Sequence, residues 1–466
     1  MSFRAYAALL MALVLNCSVF PPAALAQSPD PQTQAYSDEL KKGLRDVLNI
    51  TYFLCMNIYP RPTASECLDR VKHGTGGSFD PHTTYMNAKE TEEFNNQSSG
   101  AGYGGIGIEI SKPAGQPVIV ISAMEGTPAE KAGLLPDDVI IGISKDPGAD
   151  FVSTISIKNS DEVVKLVRGE IGSTVTLKVR RAGVENDLIV PVKRDTIKVA
   201  QIKGELLKVG NKTYALIQNK VYQQNNREEL AAKFQELKKL AKGKLSGVIL
   251  STENNPGGLL NEVAAGVDLF LDAESILLLR TNSGITVMDQ SNYFHTPGDI
   301  TDGLPMLVVV NAGCASACEV FAANMKFHHR ALIAGTSEST FGKGIVQTWT
   351  SGGDGSAVKY TSSEYLVGSL NNWVPVQCIG VKPDVVFSYP GIKEQKRISE
   401  CELSEHVLSK GPMETPPPFK SLQEVNPAHY QAGLEMLEAY KAHMLPKVLK
   451  DDARRKEFLK SQQQQE

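Results

Sequence analysis

The run Pro305-Met306-Leu307-Val308-Val309-Val310 constrains the fold of this chain more than any other stretch. Every position is apolar, without the polar alternation of a strand that has one wet face. It reads as a strand buried on both sides, which calls for a parallel sheet covered by helices above and below. Tyr214-Ala215-Leu216-Ile217, Gly247-Val248-Ile249-Leu250 and the stretch from Ala331 to Ala334 have the same character. Between the first two, Asn226 to Ala241 sets Leu230, Phe234, Leu237 and Leu240 on one helical face. Alternating strands and helices predict an α/β core from about residue 196 to 400.

The residues just after Val310 carry the chemistry. Asn311-Ala312-Gly313 breaks the strand, and Cys314-Ala315-Ser316-Ala317-Cys318-Glu319 begins a helix that continues to about Lys326. A serine at such a strand–turn–helix junction is lifted above the sheet edge, where a helix N-terminus favours developing negative charge. Ser316 and Glu319 also fit a capping box, in which the serine is only an N-cap. Ala315 and Ala317 favour the first reading, because small neighbours leave the hydroxyl accessible. As a base for Ser316, His328 and His329 are too distant along the same helix, roughly 18 Å at about 1.5 Å per residue. Lys343, in Thr340-Phe341-Gly342-Lys343-Gly344, is the better candidate. A lysine working near neutral pH needs its pKa lowered by about 3 units, about 4 kcal/mol of desolvation. Gln347 is placed to orient that amine without adding charge. Gly257 and Gly258, in Asn254-Asn255-Pro256-Gly257-Gly258, leave room for a substrate carbonyl. The amide of one of them, with that of Ala317, can form an oxyanion hole; a plain strand-to-helix turn is the other reading of the diglycine.

The beginning of the chain is a processing segment. Arg4, the apolar stretch from Ala7 to Val19 and the small-x-small Ala24-Leu25-Ala26 make residues 1–26 a signal peptide, so the mature protein is expected to be exported. No later stretch is apolar for long enough to span a membrane. A formal net charge of −4, one unit more negative without Arg4, gives no reason to expect nucleic acid. No metal or cofactor is expected. Residues 27–100 read as helices with a turn at Pro60-Arg61-Pro62 and a loop at Asn95–Gly100. Residues 101–195 form a β-rich module, with glycines before an alternating strand in Gly104-Gly105-Ile106-Gly107-Ile108-Glu109-Ile110 and a capped helix from Ser160 to Val167. Residues 401–466 begin with a stiff Pro416-Pro417-Pro418 spacer. Beyond it lies a helix over Asn426–Ala442, interrupted by Pro446 and frayed beyond Lys447.

The β-rich module, above all "GTPAEKAGLLPDDVIIGI", resembles a PDZ domain. That likeness implies that Gly105, Ile106, Gly107 and Ile108 capture a peptide C-terminus, backbone amides meeting the carboxylate while the peptide adds as a strand. With "FDPHTTYM", "ENNPGG", "GCASACE", "TFGKGIVQ" and "GVKPDVVF", the chain from about Phe79 to Phe387 resembles the carboxyl-terminal processing proteases, tail-specific Ser-Lys peptidases with an embedded PDZ domain. The resemblance implies a crotonase-like α/β core with Ser316 as nucleophile, Lys343 as general base and Gln347 orienting the lysine. It also implies protein or peptide substrates with exposed C-termini, and a homo-oligomer built on the terminal helices, with an adaptor protein an open partner. The bacterial periplasm is the expected compartment. Three departures stand out. Ser251-Thr252-Glu253 replaces the usual Asp-Leu-Arg, Gly335–Ser339 lengthens the loop before the lysine, and cysteines flank the nucleophile. The first leaves a non-catalytic scaffold that binds protein tails as an alternative.

Of the seven cysteines, Cys17 leaves with the leader and an even number remains. Cys55 and Cys67 lie on the two arms of the Pro60–Pro62 hairpin and are expected to pair. Cys378 and Cys401 close a loop worth about 3 kcal/mol if bridged. Cys314 and Cys318 are either a bridge around Ser316 or two small buried apolar residues.

Overall fold

The computed structural model describes residues 31–57, 62–76, 78–80, 82–111, 116–123, 127–135, 138–157, 160–181, 184, 186–197, 200–271, 277–288, 298–369, 372–390, 399–402, 407 and 420–463. The signal peptide, most of the Pro60–Pro62 turn and the Pro416–Pro418 spacer lie outside them. The chain divides into two compact units, Met1–Glu92 with Gln347–Ser362 and Glu93–Val346 with Ser363–Glu466.

In the smaller unit, helices Pro31–Asn57 and Ala64–Gly76 are joined by the expected Cys55–Cys67 disulfide. Asp80 folds its carboxylate back onto the amides of His82 and Thr83 at 2.8 and 2.9 Å and onto the Thr83 hydroxyl at 2.6 Å. That cap turns the chain into the short strand Thr84–Met86, which pairs antiparallel with Ala357–Lys359. A polar helix then runs over Ala88–Ser98, so the loop expected from Asn95 begins only at its end.

The larger unit contains the β-rich module and the α/β core. In the module five antiparallel strands run in the order Ile108–Ser111, Val118–Ala123, Val139–Ser144, Thr174–Arg180, Leu188–Lys193, with Ile108–Ser111 at the edge. Their inward residues Val118, Val120, Ile140, Ile143 and Leu177 pack with Ile106 and with Val163 of helix Ser160–Val167. The glycines expected before the alternating strand are themselves part of a short strand, and the alternating strand begins at Ile108. Tyr103–Gly105 pairs instead with Asp195–Ile197, and the chain turns at Gly107, whose φ is +78°.

The core is a six-stranded sheet in sequential order: β1 (Ile202–Val209), β2 (Lys212–Asn219), β3 (Gly247–Ser251), β4 (Met306–Val310), β5 (Leu332–Gly335) and β6 (Val385–Val386). β1 and β2 form an antiparallel hairpin; every later pairing is parallel. Alternation sends Val248, Leu250, Met306, Val308, Val310 and Ile333 to one face, under α1 (Asn226–Leu240), α2 (Leu260–Asp268) and α3 (Ala317–Phe327). It sends Ile249, Leu307, Val309, Leu332 and Ala334 to the other, under α4 (Pro427–Gln463). Both faces are covered, which is why the strands read as unbroken apolar runs.

Two helical expectations need correction. Leu240, the last residue of α1, is 62% exposed and does not join Leu230, Phe234 and Leu237 on the buried face. Pro446 does not interrupt α4, which runs on through the tail to Gln463. Met444, Leu445 and Val448 around the proline pack against the sheet, and that burial offsets the one hydrogen bond a proline forfeits. No described helix is long and apolar enough to cross a membrane.

Candidate active site

The turn after β4 is fixed by bonds from two other loops. Asn311 Oδ1 accepts from Gly313 N at 3.0 Å and from Asn254 N at 2.9 Å, in the loop after β3. Ala315 N donates to Asn255 O at 3.0 Å, and Phe341 N to Cys314 O at 3.0 Å. Cys314 and Cys318, both fully buried, form a disulfide across the turn, which settles the two readings the sequence left open. Ser316 sits at the centre, half-buried, with φ 56° and ψ −119°. This is not the extended backbone of an ordinary N-cap. A non-glycine residue held in so sparsely populated a region costs on the order of 1–3 kcal/mol, and such strain clusters at functional sites.

Glu319 is the residue that sequence reasoning treated only as a cap. It is fully buried, and its carboxylate accepts from four donors on two segments. Oε2 takes Ser316 N at 2.8 Å and Lys343 N at 2.9 Å; Oε1 takes Gly342 N at 2.7 Å and the Thr340 hydroxyl. The backbone nitrogens of Ser316 and Lys343 therefore lie within two hydrogen-bond lengths of each other, bridged by one oxygen. Burial pushes the Glu319 carboxyl up to about 7, against the pull of those donors. The Ser-x-x-Glu spacing was the available signal; what it hid is that the glutamate also reaches a loop far along the chain.

Gly342 has φ +93°, and Gly344 N donates to Gln377 Oε1 at 2.7 Å, so the lysine loop is also held from the segment between Pro375 and Val381. That segment is tied down by a Cys378–Cys401 disulfide, the bridge whose loop the sequence left conditional. Gln347 lies on the strand Ile345–Ser351 in the smaller unit, where its Nε2 donates to Thr361 Oγ1 at 3.4 Å.

The diglycine lies against the nucleophile. A Cβ on Gly257 would stand 2.7 Å from Ala315 O, 2.8 Å from Ser316 Cβ and 2.9 Å from Ala317 N, and its φ of +102° also demands glycine. Gly257 N is already donated to Asn255 Oδ1 at 2.8 Å. Among the described residues, the amides of Gly258 and Ala317 donate to no protein acceptor. Of the two glycines, Gly258 is the one with a free amide.

Within the module, Ile106 is buried and its carbonyl accepts from Ala129 N at 2.8 Å, while the Gly107 carbonyl accepts from the Thr127 hydroxyl at 3.2 Å. Gly105 pairs with Asp195. Ile108 opens the edge strand.

Residues 213–387 match the model of peptidase family S41, and residues 97–180 that of the PDZ domain. A carboxy-terminal-processing protease of Bartonella bacilliformis is 33% identical over 355 residues, covering 75% of this chain and 77% of its own. A probable CtpA-like serine protease of Staphylococcus epidermidis is 36% identical over 361 residues, covering 77% of this chain and 68% of its own. Among solved structures, a photosystem II D1 C-terminal processing protease superposes with a TM-score of 0.50 at 26% identity, over 70% of this chain and 83% of its own. The helix-flanked α/β core with a PDZ module inserted before it is thus a family architecture, and the chain belongs to peptidase family S41 as a serine-type carboxyl-terminal processing protease.

Proposed function

We propose that this chain is an exported endopeptidase that recognises protein C-termini through its PDZ domain and cleaves internally by a Ser-Lys acyl-enzyme mechanism. Ser316 Oγ attacks the scissile carbonyl and gives its proton to the neutral Lys343 amine, with Gln347 orienting that amine. The Ala317 and Gly258 amides take the tetrahedral oxyanion. Lys343 then protonates the leaving amine, and water, deprotonated by the same lysine, releases the acyl group. The observation that carries this reading is the strained Ser316 turn, bonded through one carboxylate oxygen to the backbone of the lysine.

In the PDZ domain, the amides of Ile106, Gly107 and Ile108 meet the substrate carboxylate, and Gly105 holds the loop beneath them. The peptide then adds to the open edge of Ile108–Ser111. The leader at residues 1–26 supports export, with the periplasm as the compartment. Exposed Leu40, Leu44, Val47 and Phe53 on helix Pro31–Asn57 support assembly of several copies. An adaptor protein would dock outside the cleavage machinery.

The test is cleavage of an unfolded protein by the purified mature chain beside Ser316→Ala and Lys343→Ala. Each substitution abolishes turnover while leaving the fold and tail binding intact. Activity surviving in Lys343→Ala refutes the dyad, and a wild-type chain that binds tails but never cleaves them is the scaffold instead.

A further inference from the structure

We propose that Tyr365 is a positioning residue for the cleavage reaction: it sets the backbone of Lys343 against the turn that carries Ser316. The proposal rests on the reading of those two residues as the dyad. Tyr365 lies on the strand Ala357–Ser369 and is 1% exposed. Its hydroxyl donates to Lys343 O at 2.6 Å and lies 3.1 Å from Ser316 O, and its amide donates to Gly344 O at 2.8 Å. One phenol thus bridges the carbonyls of the two residues whose amides Glu319 bridges from the other side.

The two carbonyls are not equally dependent on it. Ser316 O also accepts from Glu319 N at 2.8 Å and Val320 N at 3.1 Å, so the helix start holds it without help. Lys343 O is the nearer acceptor and lies between Gly342 and Gly344, where the backbone has little stiffness of its own. A hydroxyl carries one proton, and at these distances most of that hydrogen bond goes to the lysine carbonyl. Burial first, then the nearby Glu319 and Glu400 carboxyls, raises the phenol well above its ordinary range, so it stays a donor. Tyr365 therefore acts through Lys343, not on the substrate. Side-chain geometry at a lysine base is sensitive to such support, because a displacement of about 1 Å at a reacting group costs about 100-fold in rate.

The experiment uses the mature chain with reduced, unfolded β-casein, measuring kcat and KM separately, kcat against pH, and thermal melting. Tyr365→Phe is expected to lower kcat about 10- to 100-fold with KM within about twofold, and to move the acid limb of the kcat profile, which reports the base. Tyr389→Phe is the control. It deletes a buried hydroxyl that has no hydrogen-bond partner among the described residues, on the opposite face of the sheet, and is expected to change none of these. Tyr365→4-aminophenylalanine restores a donor in the same place and recovers most of kcat. A Tyr365→Phe enzyme that keeps kcat within about twofold overturns the proposal, as does an acid limb that stays put or a donor variant that fails to rescue. Ser316→Ala separates the two levels. Turnover surviving there refutes the dyad itself, whereas a dead Ser316→Ala beside an active Tyr365→Phe refutes only the positioning role.

Discussion

Glu319→Gln separates catalytic positioning from stability. The substitution keeps the shape of the side chain but turns one of its two acceptor oxygens into a donor. If the new NH2 faced Ser316 N and Lys343 N, two backbone donors would lose their acceptor at once. The better orientation points it at Thr340 and Gly342, where the Thr340 hydroxyl can rotate to accept and only Gly342 N is stranded. The loss is then one or two hydrogen bonds to a charged group, about 1.5–3 kcal/mol each. Against it stands the cost of burying the charge. A carboxyl raised from 4.5 to about 7 is penalised by about 3 kcal/mol when ionised in the folded chain. That penalty is already net of the pull of the four donors, so at pH 8 the melting temperature of Glu319→Gln is expected to lie at or above that of wild type. Catalysis has no such offset, since the shared oxygen that spaces Ser316 from Lys343 is weakened, and kcat is expected to fall by about 100-fold. The pH dependence gives a second readout. With its folded pKa above its unfolded one, Glu319 binds its proton more tightly in the native state between pH 4.5 and about 7. Its contribution to stability is therefore fully present below that window and is lost as pH rises through it, the reverse of a salt-bridged carboxylate. Wild type should lose about 3 kcal/mol from this group across the window, and Glu319→Gln should not. A variant with wild-type kcat, or with an unchanged slope of stability against pH, would refute the reasoning.

Gly257→Ala forces a Cβ to within 2.7–2.9 Å of Ala315 O, Ser316 Cβ and Ala317 N at a φ of +102°, so it should abolish turnover and destabilise the chain by about 2–4 kcal/mol. Chemical denaturation together with a cleavage assay checks both. If the PDZ domain captures free carboxylates, amidating the C-terminus of a bound peptide should weaken its affinity at least about tenfold. Calorimetric titration of the acid and amide forms measures it, and equal affinities would remove tail recognition.

The elements most legible in the sequence were those whose burial is written into every residue. β4 reads as buried because both of its faces are covered, and α3 because a small-residue turn precedes it. The antiparallel strands around Leu277–Thr281 and Ala357–Ser369 were not legible. Arg280 and Glu364 interrupt their apolar pattern, and only the fold reveals a 3.0 Å ion pair between them, beside the Trp373 ring. Tyr365 is hidden for the same reason, as its neighbours look like an ordinary polar strand. Only half of the role of Glu319 is legible in sequence, since a capping box is a local pattern and its second role is a contact with residues distant in sequence. The Cys314–Cys318 bridge could not be decided from spacing. Four residues apart in a regular helix is marginal for a disulfide, and the non-helical Ser316 brings the two Cα atoms to 5.5 Å.

The departure at Ser251-Thr252-Glu253 looked like drift in the catalytic machinery, yet its side chains serve a different junction. Thr252 extends the ladder to β4, its amide donating to Val309 O at 2.9 Å and its hydroxyl at 3.2 Å. Ser251 and Glu253 meet Tyr440 of α4, whose hydroxyl donates to the Glu253 carboxylate and lies 3.1 Å from Ser251 Oγ. Burial raises the Glu253 carboxyl, and the Tyr440 bond, Lys220, Ser251 and Lys447 pull the other way, so this acid is accommodated beneath the C-terminal helix. Both charged residues of the usual ending have changed together. Meanwhile the backbone just beyond keeps its bonds: Asn255 N to Thr252 O, Asn254 N to Asn311 Oδ1, and Ala315 N to Asn255 O. Those bonds hold the diglycine against Ser316. The drift therefore falls on how α4 is held to the sheet, while the backbone framework of the candidate oxyanion hole is left as a working protease would need it.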